Sequence, residues 1–93
     1  MPAQLTPAGK LTPVREEGGV RFHLNGEPVH AGDVLDLLMA DDTWMRGRFE
    51  ANGRSAEASF HWTVPAAGQP ADGEPAEASM WLPGWATLRW PAR

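Results

Sequence analysis

The dipeptide Asn52-Gly53 limits what this chain can fold into more than any other feature. Asn-Gly between two alternating runs is the strongest short-range hairpin signal, because both central residues of a type I′ turn need positive φ. A two-residue loop pairs Ala51 with Arg54 and, counting outward, Phe49 with Ala56, Gly47 with Ala58 and Met45 with Phe60. One face of the hairpin then carries Met45, Gly47, Phe49, Ala56, Ala58, Phe60 and Trp62. The other receives Trp44, Arg46, Arg48 and Glu50 against Ser55, Glu57, Ser59 and His61, with Arg48 across from Glu57. A slip of one residue would set Arg against Phe, so the pattern specifies its own register. Gly47 opposite Ala58 leaves a gap where a bulky side chain can enter or the sheet can bend.

The rest of the core also reads as β. Val20, Phe22 and Leu24 alternate with Arg21, His23 and Asn25, and Asn25-Gly26 supplies a turn. Ala31-Gly32-Asp33 is a second turn, leading into VLDLLM at 34–39. Asp33 could cap a helix there. The span before the Asp41-Asp42 pair is short for a helix and normal for a strand, so a strand is expected. Residues 79–82 form a short strand, Pro83-Gly84 a turn, and 85–90 a closing strand with Ala86, Leu88 and Trp90 on one face. Trp62 and Trp90 are expected in the core, while the facing of Trp81 and Trp85 stays open. Five to six short strands predict a mainly β protein, a small and strongly bent antiparallel barrel of SH3-like or OB-like kind.

Two segments fall outside this pattern. Residues 1–19 hold three Pro, three Gly and a twice-occurring Leu-Thr-Pro, which predicts a flexible N-terminal tail. Residues 64–78 are rich in Pro, Ala and acids and are expected to form a mobile loop within the 20–91 domain.

Composition narrows the function. Ninety-three residues make one domain with one core. Twelve acids against eight bases leave a net charge of −4, which disfavours a general nucleic-acid-binding polyelectrolyte. The lack of Cys excludes disulfides, thiolate metal sites and thiol nucleophiles. No secretory signal or membrane-spanning run is visible, and a cytoplasmic location is expected.

The stretch GDVLDLLMADDTWMRGRFEANGRS resembles the centre of an SH3-type barrel. A Gly-Asp pair (Gly32-Asp33) opens a strand, an acidic loop (Asp41-Asp42) precedes Trp44, and Gly47-Arg48 runs into a hairpin turn. LNGEPVHAGDVLDLL, TWMRGRFE, FHWT and LPGWATLR together are similar to a bacterial family of small SH3-like domains of unknown function. The resemblance covers roughly residues 22–90 without the acidic loop; it implies the fold and no established activity. The ALYDY-like strand and Pro-Ser-x-Tyr segment of eukaryotic peptide-binding SH3 domains are missing, so polyproline recognition is not expected.

Reactive constellations are scarce. His23, His30 and His61 have no recognised ligand spacing among themselves, and the His30-x-x-Asp33 pair alone makes no metal site. His23 and His61 are expected on the outer surface, with His30 in a turn. Ser55, Ser59 and Ser79 sit in no nucleophile elbow, and the pairs Asp33/Asp36 and Asp41/Asp42 read as solvated turns. Neither a cofactor nor a metal is expected, and no catalytic residue is assigned. The expected surface is Trp44, Arg46, Arg48 and His61, an aromatic platform in a locally basic patch. A non-catalytic protein-binding module follows, with a nucleic-acid-binding barrel as the alternative and a small metal-dependent enzyme ranked last. A weak homodimer is also expected, because small barrels expose strand edges and five Trp exceed what one core hides.

Overall fold

The computed structural model describes residues 6–64 and 76–92. Among the described residues the chain is all-β and antiparallel, with eight strands rather than five to six: β1 (Gly9–Glu16), β2 (Gly19–Leu24), β3 (Glu27–Val29), β4 (Val34–Leu38), β5 (Trp44–Ala51), β6 (Ala58–Val64), β7 (Ala76–Trp81) and β8 (Thr87–Arg89). Their order across the sheet is β3-β2-β1-β8-β4-β5-β6-β7. The 34–39 segment forms strand β4, as its length required.

The tight two-residue hairpin occurs at Asn25-Gly26. Their φ angles are 51° and 83°, and Leu24 pairs directly with Glu27. At Asn52-Gly53 the loop is longer. Ala51 pairs with Ala58 and Phe49 with Phe60, so residues 52–57 all lie outside the ladder. The cause is local. The Asn52 side-chain oxygen accepts the backbone N–H groups of Arg54 (2.8 Å) and Ser55 (3.1 Å), a turn made by the side chain. Gly53 alone takes positive φ (75°), and its carbonyl accepts the Val20 N–H at 2.8 Å. The hairpin tip is thereby held against β2. A Cβ at Gly19 would overlap that same carbonyl, so the close approach requires glycine there.

This shift of register is even, so the two faces survive it. Phe49, Ala58 and Phe60 are buried as expected, whereas Ala56 moves into the exposed loop. Arg48 stands opposite His61 instead of Glu57. Gly47 no longer faces Ala58, and the space its missing side chain leaves is taken by other groups: a Cβ there would sit 2.5 Å from the His61 carbonyl and 2.6 Å from the Phe60 ring.

The first 19 residues are not simply a tail. Residues 1–5 lie outside the described residues, but six of the eight residues of β1 pair with β2, from Leu11↔Leu24 to Glu16↔Gly19. Its start also pairs with β8, through Gly9↔Leu88 and Lys10↔Thr87. Leu11 packs on the core, and most of the strand's other side chains are exposed. A strand buried on so little of its surface carries no hydrophobic alternation to read. The acidic segment is likewise shorter than its composition implies. Val64 ends β6 and residues 76–78 open β7, while 65–75 lie outside the described residues.

The core contains Val20, Phe22, Leu24, Val29, Leu35, Leu37, Phe49, Ala58, Phe60, Ala86 and Leu88. Phe22 and Phe49 meet edge to face at 5.6 Å between ring centres, joining β2 to β5 across the interior. Trp62 and Trp90 pack against this core half-buried instead of within it. Among the described residues no helix is long and apolar enough to cross a membrane.

Candidate functional site

Strand alternation turns Asp36 of β4, Trp44, Arg46, Arg48 and Glu50 of β5, Ser59 and His61 of β6, Glu77 of β7 and Arg89 of β8 onto the face opposite the core. The register pairs Asp36 with Arg46 on one side and with Arg89 on the other. Asp36 is only 3% exposed, the one buried charged residue among those described. Its two oxygens are divided: Arg46 Nε donates to Oδ1 at 3.0 Å and Arg89 Nε to Oδ2 at 3.3 Å. The Arg89 guanidinium then lies 3.9 Å from the ring centre of Trp44, a cation–π contact. The indole face expected to receive a ligand therefore holds an arginine of the same chain.

A second knot lies one strand further along. Arg48 donates through Nε to Glu50 at 2.9 Å and through Nη2 to Glu77 at 3.0 Å. These bonds, the one to Glu77 first, raise the arginine's proton affinity above its ordinary value. The same Arg48 bond holds the Glu77 carboxyl below the usual carboxylate range, with a smaller contribution from His61. His61 touches Glu77 through Nδ1 at 3.1 Å and Ser59 Oγ through Nε2 at 2.8 Å.

Trp44, Arg46, Arg48 and His61 are thus brought together on one face, as the sequence led us to expect, but the patch is not basic. Three arginines (Arg46, Arg48, Arg89) meet three carboxylates (Asp36, Glu50, Glu77). The line Ser59–His61–Glu77 has the connectivity of a proton relay. Ser59 is the second residue of β6, paired with Glu50 on one side and Trp81 on the other. Nucleophilic chemistry there would need amide donors aimed at an oxyanion, and these strand amides run in the ladder.

The other sequence candidates disperse. His30 and Asp33 close their own turn, the His30 N–H donating to Asp33 Oδ2 at 2.8 Å. Asp41 accepts both the N–H and the hydroxyl of Thr43; the hydroxyl is the main reason its carboxyl lies below the usual range. His23 is half-buried, with Nε2 sealed from solvent. Among the described residues no group of three or more His, Asp or Glu is placed to hold a metal.

Sequence reasoning missed two things. One is the burial of Asp36 between Arg46 and Arg89: it was expected to be solvated, and the signal against that was a single acid inside the apolar run VLDLLM. The other is the exposure of Trp81 (71%) and Trp85 (75%), whose facing the sequence left open. Trp85 rims an open groove of about 300 Å³ between the end of β4 and the β7–β8 turn, lined chiefly by Leu38, Met39, Met80 and Pro83. Its lining contains no charged side chain.

Compared with known proteins, the chain matches no family model, no curated protein and no solved structure.

Proposed function

We propose that this chain is a non-catalytic protein-binding module, and that its docking surface is the apolar groove beside Trp85. The observation that carries this reading is an indole left 75% exposed at the rim of a groove without a charged wall. Exposed Trp is enriched where partners bind, since it offers large rigid area at low entropic cost. Met39 and Met80 add side chains that adapt to the shape of what enters. Such a groove fits an apolar side chain of a protein segment, and Lys10 at its margin donates to the Trp85 carbonyl and the Thr87 hydroxyl, each at 3.1 Å. The Trp44 face supports a nucleic-acid reading less well, because each of its arginines already faces a carboxylate. Membership of the bacterial SH3-like family is proposed with this reading; the antiparallel all-β architecture is compatible with it.

The test is affinity capture from the native lysate with three folded baits: the unaltered chain, Trp85→Ser, and Trp44→Ala/Arg46→Ala. A protein partner lost only with Trp85→Ser, and retained in moderate salt, is the expected result. A partner lost only with the double variant moves the docking surface back to the ion-paired face. Salt-sensitive recovery of nucleic acid overturns the reading altogether.

A further inference from the structure

The sheet has two edges, and they are built differently. β3 is three residues long with Pro28 at its centre, a strand too short and too poor in donors to accept a neighbour. β7 has six residues, AEASMW, with no Pro and no Lys or Arg to blunt it. Among the described residues no strand lies beyond it.

The ladder shows which of its groups face outward. The Leu82 N–H donates to the Ala58 carbonyl at 2.8 Å, in register with Ser59↔Trp81 and Phe60↔Met80. Hydrogen-bonded pairs alternate along an antiparallel ladder, so Met80, Ala78 and Ala76 bond to β6. Glu77, Ser79 and Trp81 therefore turn their backbone N–H and C=O toward the open edge. The same alternation is seen from β5, where Phe49 bonds to Asp33 and Gly32 on the β4 side while its neighbours pair with β6.

We propose that this edge binds the same edge of a second copy, antiparallel, about a two-fold axis through Ser79. In that register Glu77 meets Trp81 of the other copy, Ser79 meets Ser79, and Trp81 meets Glu77. Each pair exchanges two bonds, about six in all, and every outward group is used. A shift by two residues either way leaves Trp81 or Glu77 without a mate in the strand. On the core side, Ala78 comes opposite Met80, a small residue beside a large one.

Charge allows the arrangement. Glu77, the one charge on β7, is already engaged by Arg48 and His61 of its own chain. In the antiparallel register the two Glu77 positions stand about 14 Å apart, beyond the screening length of about 8 Å. The size of the contact sets its strength. Two Trp81 side chains contribute roughly 300 Å², and stable interfaces bury about 1,200 Å² or more, so the dimer is weak and concentration-dependent.

This inference stands on backbone geometry and is separate from the Trp85 groove. Sedimentation velocity of the full chain from micromolar to millimolar concentration tests it. The unaltered chain and Trp85→Ser should both shift from monomer toward dimer. Ser79→Pro removes an outward N–H that β6 does not use, and Trp81→Lys adds an edge charge while keeping every amide. Both should raise the dimer dissociation constant at least about tenfold. Hydrogen exchange supplies a second readout. The amides of Glu77, Ser79 and Trp81 should slow as concentration rises, while those of Ala78 and Met80 stay unchanged. A chain that remains monomeric throughout, protection that does not alternate along β7, or a dimer lost with Trp85→Ser but kept with Ser79→Pro overturns the proposal.

Discussion

Asp36 shows how one carboxylate can organise a surface. A buried charge is tolerated only when it is paired and hydrogen-bonded, and Asp36 is paired twice, to Arg46 of β5 and Arg89 of β8. Its partners are unequal: the Arg46 side chain is 63% exposed and that of Arg89 21%. Replacing Asp36 by Ala strips the counter-charge from both and leaves Arg89 half-buried against Trp44. The expected loss is about 2–3 kcal/mol, below the range for a wholly buried pair because Arg46 can reach water. Arg46→Ala should cost under about 1 kcal/mol, since Arg89 still holds the carboxylate. Urea denaturation of the two variants checks both, and equal losses would mean that Asp36 acts through Arg46 alone. The composition gave no warning of this pair, because Asp36 and Arg89 are 53 residues apart in sequence. Only the fold of β8 beside β4 makes them neighbours.

At the level of elements, strands with one buried face were readable and strands without one were not. β2 wrote its alternation plainly: Val20, Phe22 and Leu24 are buried. The parity of the β5–β6 hairpin was readable for the same reason, although its loop length was not. Asn-Gly fits a tight turn and also a longer loop in which the Asn side chain gathers amides, and the contact of Gly53 with β2 favours the second. β1 and the start of β7 were invisible because backbone pairing holds them more than side-chain burial does. In β7 the Glu77 side chain adds to that pairing, and its contribution depends on pH. Because Arg48 lowers the folded carboxyl's pKa, the unfolded chain binds that proton more tightly. The stabilisation is therefore full above the ordinary carboxylate range and is lost as pH falls through the depressed folded value. The stability difference between the unaltered chain and Glu77→Gln should be full above the ordinary carboxylate range and shrink as pH falls through the depressed folded value. Denaturation at a series of pH values reads this directly, and the comparison cancels Asp41, whose carboxyl is lowered too. A difference that grows on acidification would reverse the assignment.

For the whole molecule, the decisive feature is that β1 and β8 are partners. In the ladder, β2 and β3 are joined to the other strands through β1, and β1 to β4 through β8. The Thr6 hydroxyl, donating to the Trp90 carbonyl, extends that seam past the strands. Deleting residues 1–16 should therefore unfold the domain, where a flexible tail would be removed without effect. Circular dichroism with a thermal melt decides between them, and a retained cooperative melt would contradict the role given to β1. The seam also sets an order of events while the chain is being made. The β2–β3 hairpin and the run from β4 to β7 can assemble from neighbouring sequence as each emerges from the ribosome. β1, synthesised before all of them, has half of its ladder and then waits for β8. Until the eighth strand joins them, the two groups of strands share no ladder and meet only through contacts such as the Val20–Gly53 hydrogen bond and the Phe22–Phe49 ring pair. That interval is when the protein is most exposed to proteases and to wrong partners, and a pause in translation ahead of Thr87 would lengthen it.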